Sequence, residues 1–322
     1  MLPSFQVSTV HSYTGSRYDV TQSHSGKPVE CLSSYCDENS CNRNCRYPSY
    51  CQKRRCCDVT SPSLCGFYLS YLDGSTAEGA LYGEVMSLET IDTSSPLVFS
   101  LFGSIAKQTG QWDSFTDGLM GWSYGGVRGF PTVTSTWLEE LVSQYKVTDS
   151  FSLCFGRSNG ILTVGGYDER MIEGDIYWMD NQDPYYYVVR LNDVQINQKS
   201  VSMLKSIRAV IDSGTTLTLF PKTLFNKFKQ LFMKQYPSLP TLSQSPNILD
   251  GAYVLTSRPS SDWPELQFYF DGVIVSIPPS VYFVSHLQDG KEAWLFGIQS
   301  FAGYVFFSIS LSHSTSFSET HL

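Results

Sequence analysis

The stretch 209–220 places one carboxylate between two apolar runs that favour extended chain. Val, Ile, Leu and Thr have high β-propensity, and Gly214 lets the backbone turn sharply between the two runs. The pattern predicts two strands joined by a tight turn, with Asp212 at the turn and the hydroxyls of Ser213 and Thr215 close to its carboxylate. Two interpretations stay open at this point, an ordinary Asp-Ser-Gly β-turn and a functional aspartate.

The composition favours a mostly β protein with two domains. The chain has 322 residues, 42% of them apolar, which is enough for two cores of ordinary size. Its 20 Tyr, 20 Phe and 6 Trp suit β-sheet, and few stretches have a helical period. The net charge is −8, and the one basic cluster, 53–55, lies among cysteines. We therefore expect no nucleic-acid partner.

Eight of the 9 cysteines lie between Cys31 and Cys65. Their spacing fits no paired zinc pattern and no histidine lies among them, which favours a disulfide knot over a metal site. We expect no metal and no cofactor. Disulfides indicate an oxidising compartment. The ninth cysteine, Cys154, is either a buried free thiol or the partner of a cysteine outside this chain.

Periodicity and turn residues place the other elements. Alternating apolar residues on either side of Asp73-Gly74-Ser75 predict a hairpin over 67–88. The same patterns predict helices over 134–144 and 221–235, and strands over 97–102, 151–155, 160–166, 176–179, 185–191, 266–270 and 273–277. Leu119-Met120-Gly121 and Leu295-Phe296-Gly297 repeat one apolar-apolar-Gly signature. This repeat indicates two related lobes, and we place their junction near residue 180.

Taken in their order along the chain, the motifs of residues 17–307 resemble those of the pepsin-like aspartic peptidases. The segment 212–216 is similar to the second catalytic motif, and 71–75 to the flap, in the plant and protist form with a cysteine-rich insert. Residues 278–282 resemble a hairpin of the C-terminal lobe. The resemblance implies an all-β, bilobal fold with a few short helices. The implied lobes are 1–180, which contains the insert 31–65 and the flap hairpin 67–88, and 181–322.

The resemblance also implies an aspartic endopeptidase that hydrolyses peptide bonds with a water activated between two aspartates. Asp212 is the implied catalytic residue of this chain. The implied support of its carboxylate comes from Ser213, Gly214 and Thr215. The implied flap residues that close over a polypeptide substrate are Tyr71, Asp73, Gly74 and Ser75.

One departure from the family pattern bears on chemistry. The first aspartate should lie in an Asp-Thr-Gly-Ser motif, which this sequence lacks. Residues 1–3 resemble those that follow such a motif, so we expect an N-terminally truncated chain with an incomplete first lobe and no activity alone. Tyr13-Thr14-Gly15-Ser16 is a weaker candidate for the same position. Ser308 stands where the family has an aspartate.

Three hypotheses follow. The favoured one is a secretory-pathway aspartic endopeptidase, extracellular or in a lysosome-like or vacuole-like compartment, of which this chain is a fragment. The second is a non-catalytic pepsin-fold protein that binds peptides or a protein partner in its cleft. The third is a disulfide-stapled binding module in which the Asp212 turn is structural. We expect a monomer, and the sequence has no apolar run long enough to span a membrane.

Overall fold

The computed structural model describes much of the chain, in two compact units. The described residues are 7–8, 19–36, 51–52, 55–56, 63–71, 74–87, 96–110, 118–124, 135–155, 160–203, 205–215, 217–236, 243–244, 253–255, 262–288, 291–301, 305–308 and 316–320. The N-terminal unit is formed mainly by Leu2–Ser150 and the C-terminal unit by Phe151–Glu319. The lobe boundary near residue 180 stays a prediction.

The strands of the N-terminal unit are β1 (Val7–Ser8), β2 (Lys27–Pro28), β3 (Cys51–Gln52), β4 (Arg55–Cys56), β5 (Gly66–Ser70), β6 (Thr76–Met86), β7 (Val98–Thr109) and β8 (Gly118–Leu119). They form one main sheet with the strand order β2-β6-β7-β1-β8, in which β5 also pairs with β6. A separate strand pair, β3 with β4, lies in the cysteine-rich segment. Helix α1 covers Trp137–Tyr145, and a 3₁₀ turn covers Val20–Gln22.

Strands β5 and β6 form the hairpin that the sequence predicts. They pair antiparallel from Gly66 opposite Ala80 to Ser70 opposite Thr76. The turn is closed by the Gly74 N–H, which donates to the Tyr71 carbonyl at 3.0 Å. Gly74 has φ +84°, a left-handed conformation that glycine adopts without steric cost. Strand β7 pairs with β6 along its whole length, so it stiffens the hairpin up to the tip.

Helix α1 confirms the prediction over 134–144, with a later start set by its cap. The Thr136 hydroxyl accepts from the Glu139 N–H, and the Glu139 carboxylate accepts from the Thr136 N–H. This reciprocal capping box satisfies two N–H groups that a helix start leaves unpaired. Trp137, Leu138 and Leu141 are buried, so one face of the helix packs into the core of its unit.

The C-terminal unit contains three sheets among the described residues. Its strands are β9 (Ser150–Phe155), β10 (Gly160–Val164), β11 (Val188–Ile196), β12 (Lys199–Ser200), β13 (Ile207–Asp212), β14 (Thr218–Pro221), β15 (Ser243–Gln244), β16 (Tyr253–Leu255), β17 (Leu266–Phe270), β18 (Ile274–Ile277), β19 (Phe283–Gln288), β20 (Lys291–Phe296), β21 (Ile298–Phe301), β22 (Val305–Ser308) and β23 (Ser316–Thr320). The large sheet has the order β18-β17-β11-β13-β22-β14-β21, with β12 paired to β11. The two smaller sheets have the orders β15-β16-β20-β19 and β10-β9-β23. The helical elements are a 3₁₀ turn (Glu169–Met171), α2 (Lys222–Gln235) and α3 (Pro279–Tyr282). The mostly β class with a few short helices is confirmed.

Helix α2 packs through aromatic side chains against two sheets, the large one that contains β14 and the four-stranded one that contains β20. The Phe228 ring stands edge-on to Phe220 of β14, with centroids 5.7 Å apart. One turn later, Phe232 lies 5.6 Å from Phe296 of β20. The helix predicted over 221–235 is confirmed, and its buried apolar residues, Leu224, Phe225, Phe228 and Phe232, recur at helical spacing on one face.

Two local predictions are wrong. Residues 176–179 form no strand, and Tyr177 and Trp178 are 64% and 54% exposed. An apolar run forms a strand only where another strand pairs with it, and none of the described strands pairs with residues 176–179. Residues 278–282 form no hairpin but contain the single helical turn α3, since the proline at its first position has its φ already set for a helix.

Candidate active site

Asp212 is the last residue of β13. The chain leaves the sheet there and returns as β14, and β22 lies between these two strands. Strand β13 pairs in parallel with β22, and β22 pairs in turn with β14. The connection between β13 and β14 therefore passes the end of β22, where Ser308 lies opposite Asp212 in the strand register. Asp212 is only 3% exposed. A buried carboxylate needs hydrogen-bond donors, because burial without them is costly.

Both oxygens of the Asp212 carboxylate accept hydrogen bonds from the turn. The Gly214 N–H donates to Oδ1 at 2.9 Å, and the Thr215 hydroxyl donates to Oδ2 at 2.5 Å. The Thr215 N–H also lies 3.4 Å from the Asp212 carbonyl oxygen. Two donors on opposite oxygens fix the plane of the carboxylate. The group is thus held in one orientation by its own neighbours in sequence.

Gly214 has a second role that the sequence interpretation missed. A Cβ added at Gly214 would lie 3.2 Å from Asp212 Oδ1, so a side chain there would crowd the carboxylate. The sequence interpretation assigned the hydrogen bonds to hydroxyls, whereas one donor is a backbone N–H. The signal was available, because an Asp side chain often bonds the N–H two residues later. Ser213 is exposed and forms no hydrogen bond with the part of the chain described, so its role stays a prediction.

Close backbone packing supports the strand that follows the turn. The Thr218 N–H donates to the Gly297 carbonyl at 2.8 Å, and the Gly297 N–H donates to the Tyr282 carbonyl at 2.6 Å. A Cβ at Gly297 would lie 2.7 Å from that same Tyr282 oxygen. The glycine of the Leu295-Phe296-Gly297 signature is therefore required by contact between backbones.

The tyrosine behind this contact is held neutral by its surroundings. The Tyr282 hydroxyl is buried and donates to the Pro264 carbonyl at 2.7 Å. Burial, with a smaller contribution from Tyr236, raises the pKa of Tyr282 above its ordinary value. Tyr282 thus acts as a hydrogen-bond donor that fixes the chain behind Gly297.

The predicted flap residues lie in the N-terminal unit. Tyr71 is half-buried and packs against a core cluster that includes Cys36, Cys65 and Phe67. The Tyr71 N–H donates to the Ser75 carbonyl at 2.9 Å, and Ser75 is buried. Asp73 lies outside the described residues. Closure of this hairpin over Asp212 stays a prediction.

Disulfide bonding is confirmed at three cysteines of the cysteine-rich segment. Cys36 and Cys65 form a buried disulfide, and Cys31 is likewise disulfide-bonded. Cys154 is a half-buried free thiol. Within the ranges that the structure describes, no group of three or more His, Cys, Asp or Glu could hold a metal ion. No described helix is both long and apolar enough to cross a membrane.

A mostly β fold with a buried, doubly supported aspartate at an Asp-Ser-Gly-Thr turn defines the pepsin-like class of proteins. The profile of the family described as "Eukaryotic aspartyl protease" matches residues 29–307, so the chain belongs to this family. This match confirms the family that the sequence resembles, whereas the cysteine-rich insert of the plant and protist form and the N-terminal truncation stay predictions.

Three relatives illustrate the similarity. Aspartic proteinase PCS1 of Arabidopsis thaliana is 24% identical over 313 residues, which is 86% of this chain and 63% of that protein. Aspartic proteinase 36 of the same plant is 25% identical, over 88% of this chain and 56% of its own length. Pepsin A of Suncus murinus is 23% identical, over 80% of this chain and 62% of its own length. The chain thus spans less than two thirds of the length of these relatives.

Proposed function

We propose that the chain is part of an aspartic endopeptidase in which Asp212 is one of the two catalytic aspartates. The observation that carries the proposal is the Asp212 carboxylate, which is buried and accepts donors on both oxygens. A merely structural Asp-Ser-Gly turn does not need its carboxylate fixed in a buried position. Membership of the aspartyl protease family supports the same role.

The mechanism requires a second carboxylate close to the first. Two such groups share one proton, because both cannot ionise at short range, and pepsin is a known example. One carboxylate takes a proton from a water, which attacks the peptide carbonyl, while the other gives a proton to the carbonyl oxygen. In this scheme the Gly214 N–H and the Thr215 hydroxyl keep Asp212 aimed at the water. Ser213 helps to join the two catalytic turns.

We further propose that residues 1–322 have no peptidase activity alone. The sequence contains no Asp-Thr-Gly-Ser motif, and a single carboxylate has neither a shared proton nor a partner acid. Removal of one member of a catalytic unit usually lowers the rate by orders of magnitude. The same observation favours the second candidate function, a non-catalytic pepsin-fold protein that binds peptides or a protein partner in its cleft.

The remaining parts of the proposal concern the substrate and its environment. The substrate is a polypeptide that lies beneath a flap formed by Tyr71, Asp73, Gly74 and Ser75. The two lobes are 1–180 and 181–322, and the protein is a monomer. The Cys36–Cys65 disulfide supports a secretory-pathway, extracellular, lysosome-like or vacuole-like location, where thiols are oxidised.

The test is an acid proteolysis assay on the complete gene product, with residues 1–322 assayed in parallel. We expect cleavage of a protein substrate by the complete product and inhibition by a statine-type transition-state mimic. Asp212→Asn should lower the rate by orders of magnitude. Equal activity of Asp212→Asn would refute the role of Asp212. A complete product that binds the mimic but cleaves nothing would support the non-catalytic alternative.

A further inference from the structure

A pocket of about 520 Å³ opens between the last turn of α2 and the turn that joins β11 to β12. It is lined by Asn197, Lys199, Leu231, Lys234, Gln235 and Tyr236. None of these residues belongs to the Asp212 turn or to the strands next to it. The volume lies in the range typical of ligand pockets, so the size alone allows an organic ligand.

The walls of the pocket are fixed to each other. Asn197 and Gln198 both have left-handed φ values, +48° and +61°, which close the tight turn between β11 and β12. The Gln235 side-chain amide donates to the Ile196 carbonyl at 3.0 Å, which ties the end of α2 to this turn. Near the middle of the helix, the Lys227 ammonium donates to the Ser202 carbonyl at 2.8 Å. The helix and the hairpin therefore form a preorganised cleft.

The charge of the pocket is opposite to that of the protein. The whole chain carries −8, yet helix α2 has four lysines and no acidic residue. Lys199 and Lys234 enter the pocket from its two walls, and neither forms an ion pair with any residue that the structure describes. Two ammonium groups that share one cleft repel each other unless an anion lies with them. This arrangement favours an anionic ligand.

The other lining residues say more about that ligand. Leu231 provides an aliphatic surface, and the Tyr236 ring is packed against Phe232 with centroids 5.7 Å apart. Asn197 adds an amide that suits a peptide group. The pocket is much larger than a single inorganic anion. An apolar surface, an amide and two cations in one cleft match a chain that alternates carboxylates with apolar side chains.

We propose that this pocket binds an acidic segment of a polypeptide. Carboxylates of the segment pair with Lys199 and Lys234, and an apolar side chain between them lies against Leu231 and Tyr236. The proposal does not depend on the chemistry of Asp212. It therefore holds or fails independently of the peptidase proposal.

The test measures binding of a fluorescein-labelled octapeptide of alternating glutamate and leucine to residues 1–322 by fluorescence anisotropy. We compare Lys199→Glu/Lys234→Glu with Lys205→Glu/Lys222→Glu, a control pair of exposed lysines outside the pocket with the same change in charge. Reversal of the pocket pair should weaken binding at least about tenfold, because each attraction becomes a repulsion. The control pair should weaken it less than about threefold, through the general field alone. Because all four lysines are exposed, circular dichroism should show every variant folded.

Two results would overturn the proposal. Equal losses in the two double variants would show that the peptide responds to net charge and not to this pocket. The second result is competition by free glutamate or sulfate with a dissociation constant equal to that of the octapeptide. It would show that the pocket is a simple anion site and would exclude a polypeptide ligand.

Discussion

Replacement of Gly297 by alanine tests the close packing behind the Asp212 turn. The new Cβ would lie 2.7 Å from the Tyr282 carbonyl oxygen and 3.3 Å from its carbon. Both are backbone atoms, so no side chain can rotate away to make room. Relief requires the chain around Gly297 to move, which stretches its 2.6 Å hydrogen bond to Tyr282 and the 2.8 Å bond that it accepts from Thr218.

The magnitude follows from these two effects. Overpacking in a tight interior costs about 1–3 kcal/mol. Weakening of one or two backbone hydrogen bonds adds about 0.5–1.5 kcal/mol each. We therefore expect Gly297→Ala to lower the free energy of unfolding by about 2–6 kcal/mol, measured by urea unfolding followed by tryptophan fluorescence and circular dichroism.

Gly272→Ala is the matched control. Gly272 has φ +75°, and a Cβ there would meet no heavy atom within 4 Å. Its substitution costs only the strain of a left-handed alanine, about 1 kcal/mol. If Gly297→Ala is no less stable than Gly272→Ala, the steric argument for Gly297 is wrong.

Three further substitutions follow from the same structure. Thr215→Val keeps the shape of the side chain but removes a donor to a buried carboxylate, so urea unfolding should show a loss of about 1.5–3 kcal/mol, with Thr215→Ser near wild type. Equal stability of the two variants would contradict this. Cys36→Ala/Cys65→Ala opens a disulfide with a sequence separation of 29, so we expect a loss of about 2–4 kcal/mol and a lower Tm, whereas Cys154→Ala should change the Tm little. Burial raises the pKa of Tyr282 in the folded state, so just above pH ~10 only the unfolded chain loses the phenol proton. The free energy of unfolding should therefore fall as pH rises above ~10, by about 1.4 kcal/mol per pH unit from this residue. Unfolding measured from pH ~9 to ~11 should show a shallower loss for Tyr282→Phe, and parallel slopes would refute the assignment.

Elements with a strong local pattern could be predicted from the sequence. The turn residues around Gly74 and the apolar period of helix α2 are local properties, and each predicts its element correctly. The strand predicted over 176–179 was wrong because a strand also needs a partner, and its partner is not a local property. The hairpin predicted over 278–282 is wrong because proline favours the first position of a helix, and Pro279 starts the helical turn α3.

The site could be predicted in part. The position of Asp212 at the end of a strand follows from the apolar runs on either side of it. Its burial does not follow, since burial depends on strands that are distant in sequence. The role of Gly297 was also beyond local reasoning, because the contact that requires a glycine is made by the Tyr282 backbone.

The position of β22 between β13 and β14 sets an order of events during synthesis. Asp212 leaves the ribosome before β22, whose first residue is Val305. At the usual rate of synthesis the delay is roughly 5–20 s. In that interval β13 and β14 each have an open edge where β22 will later pair, and open edges pair readily with other chains. The nascent protein therefore passes through an aggregation-prone stage in which β13 and β14 lack the strand between them, and a chain that ends before Val305 keeps both of these edges open.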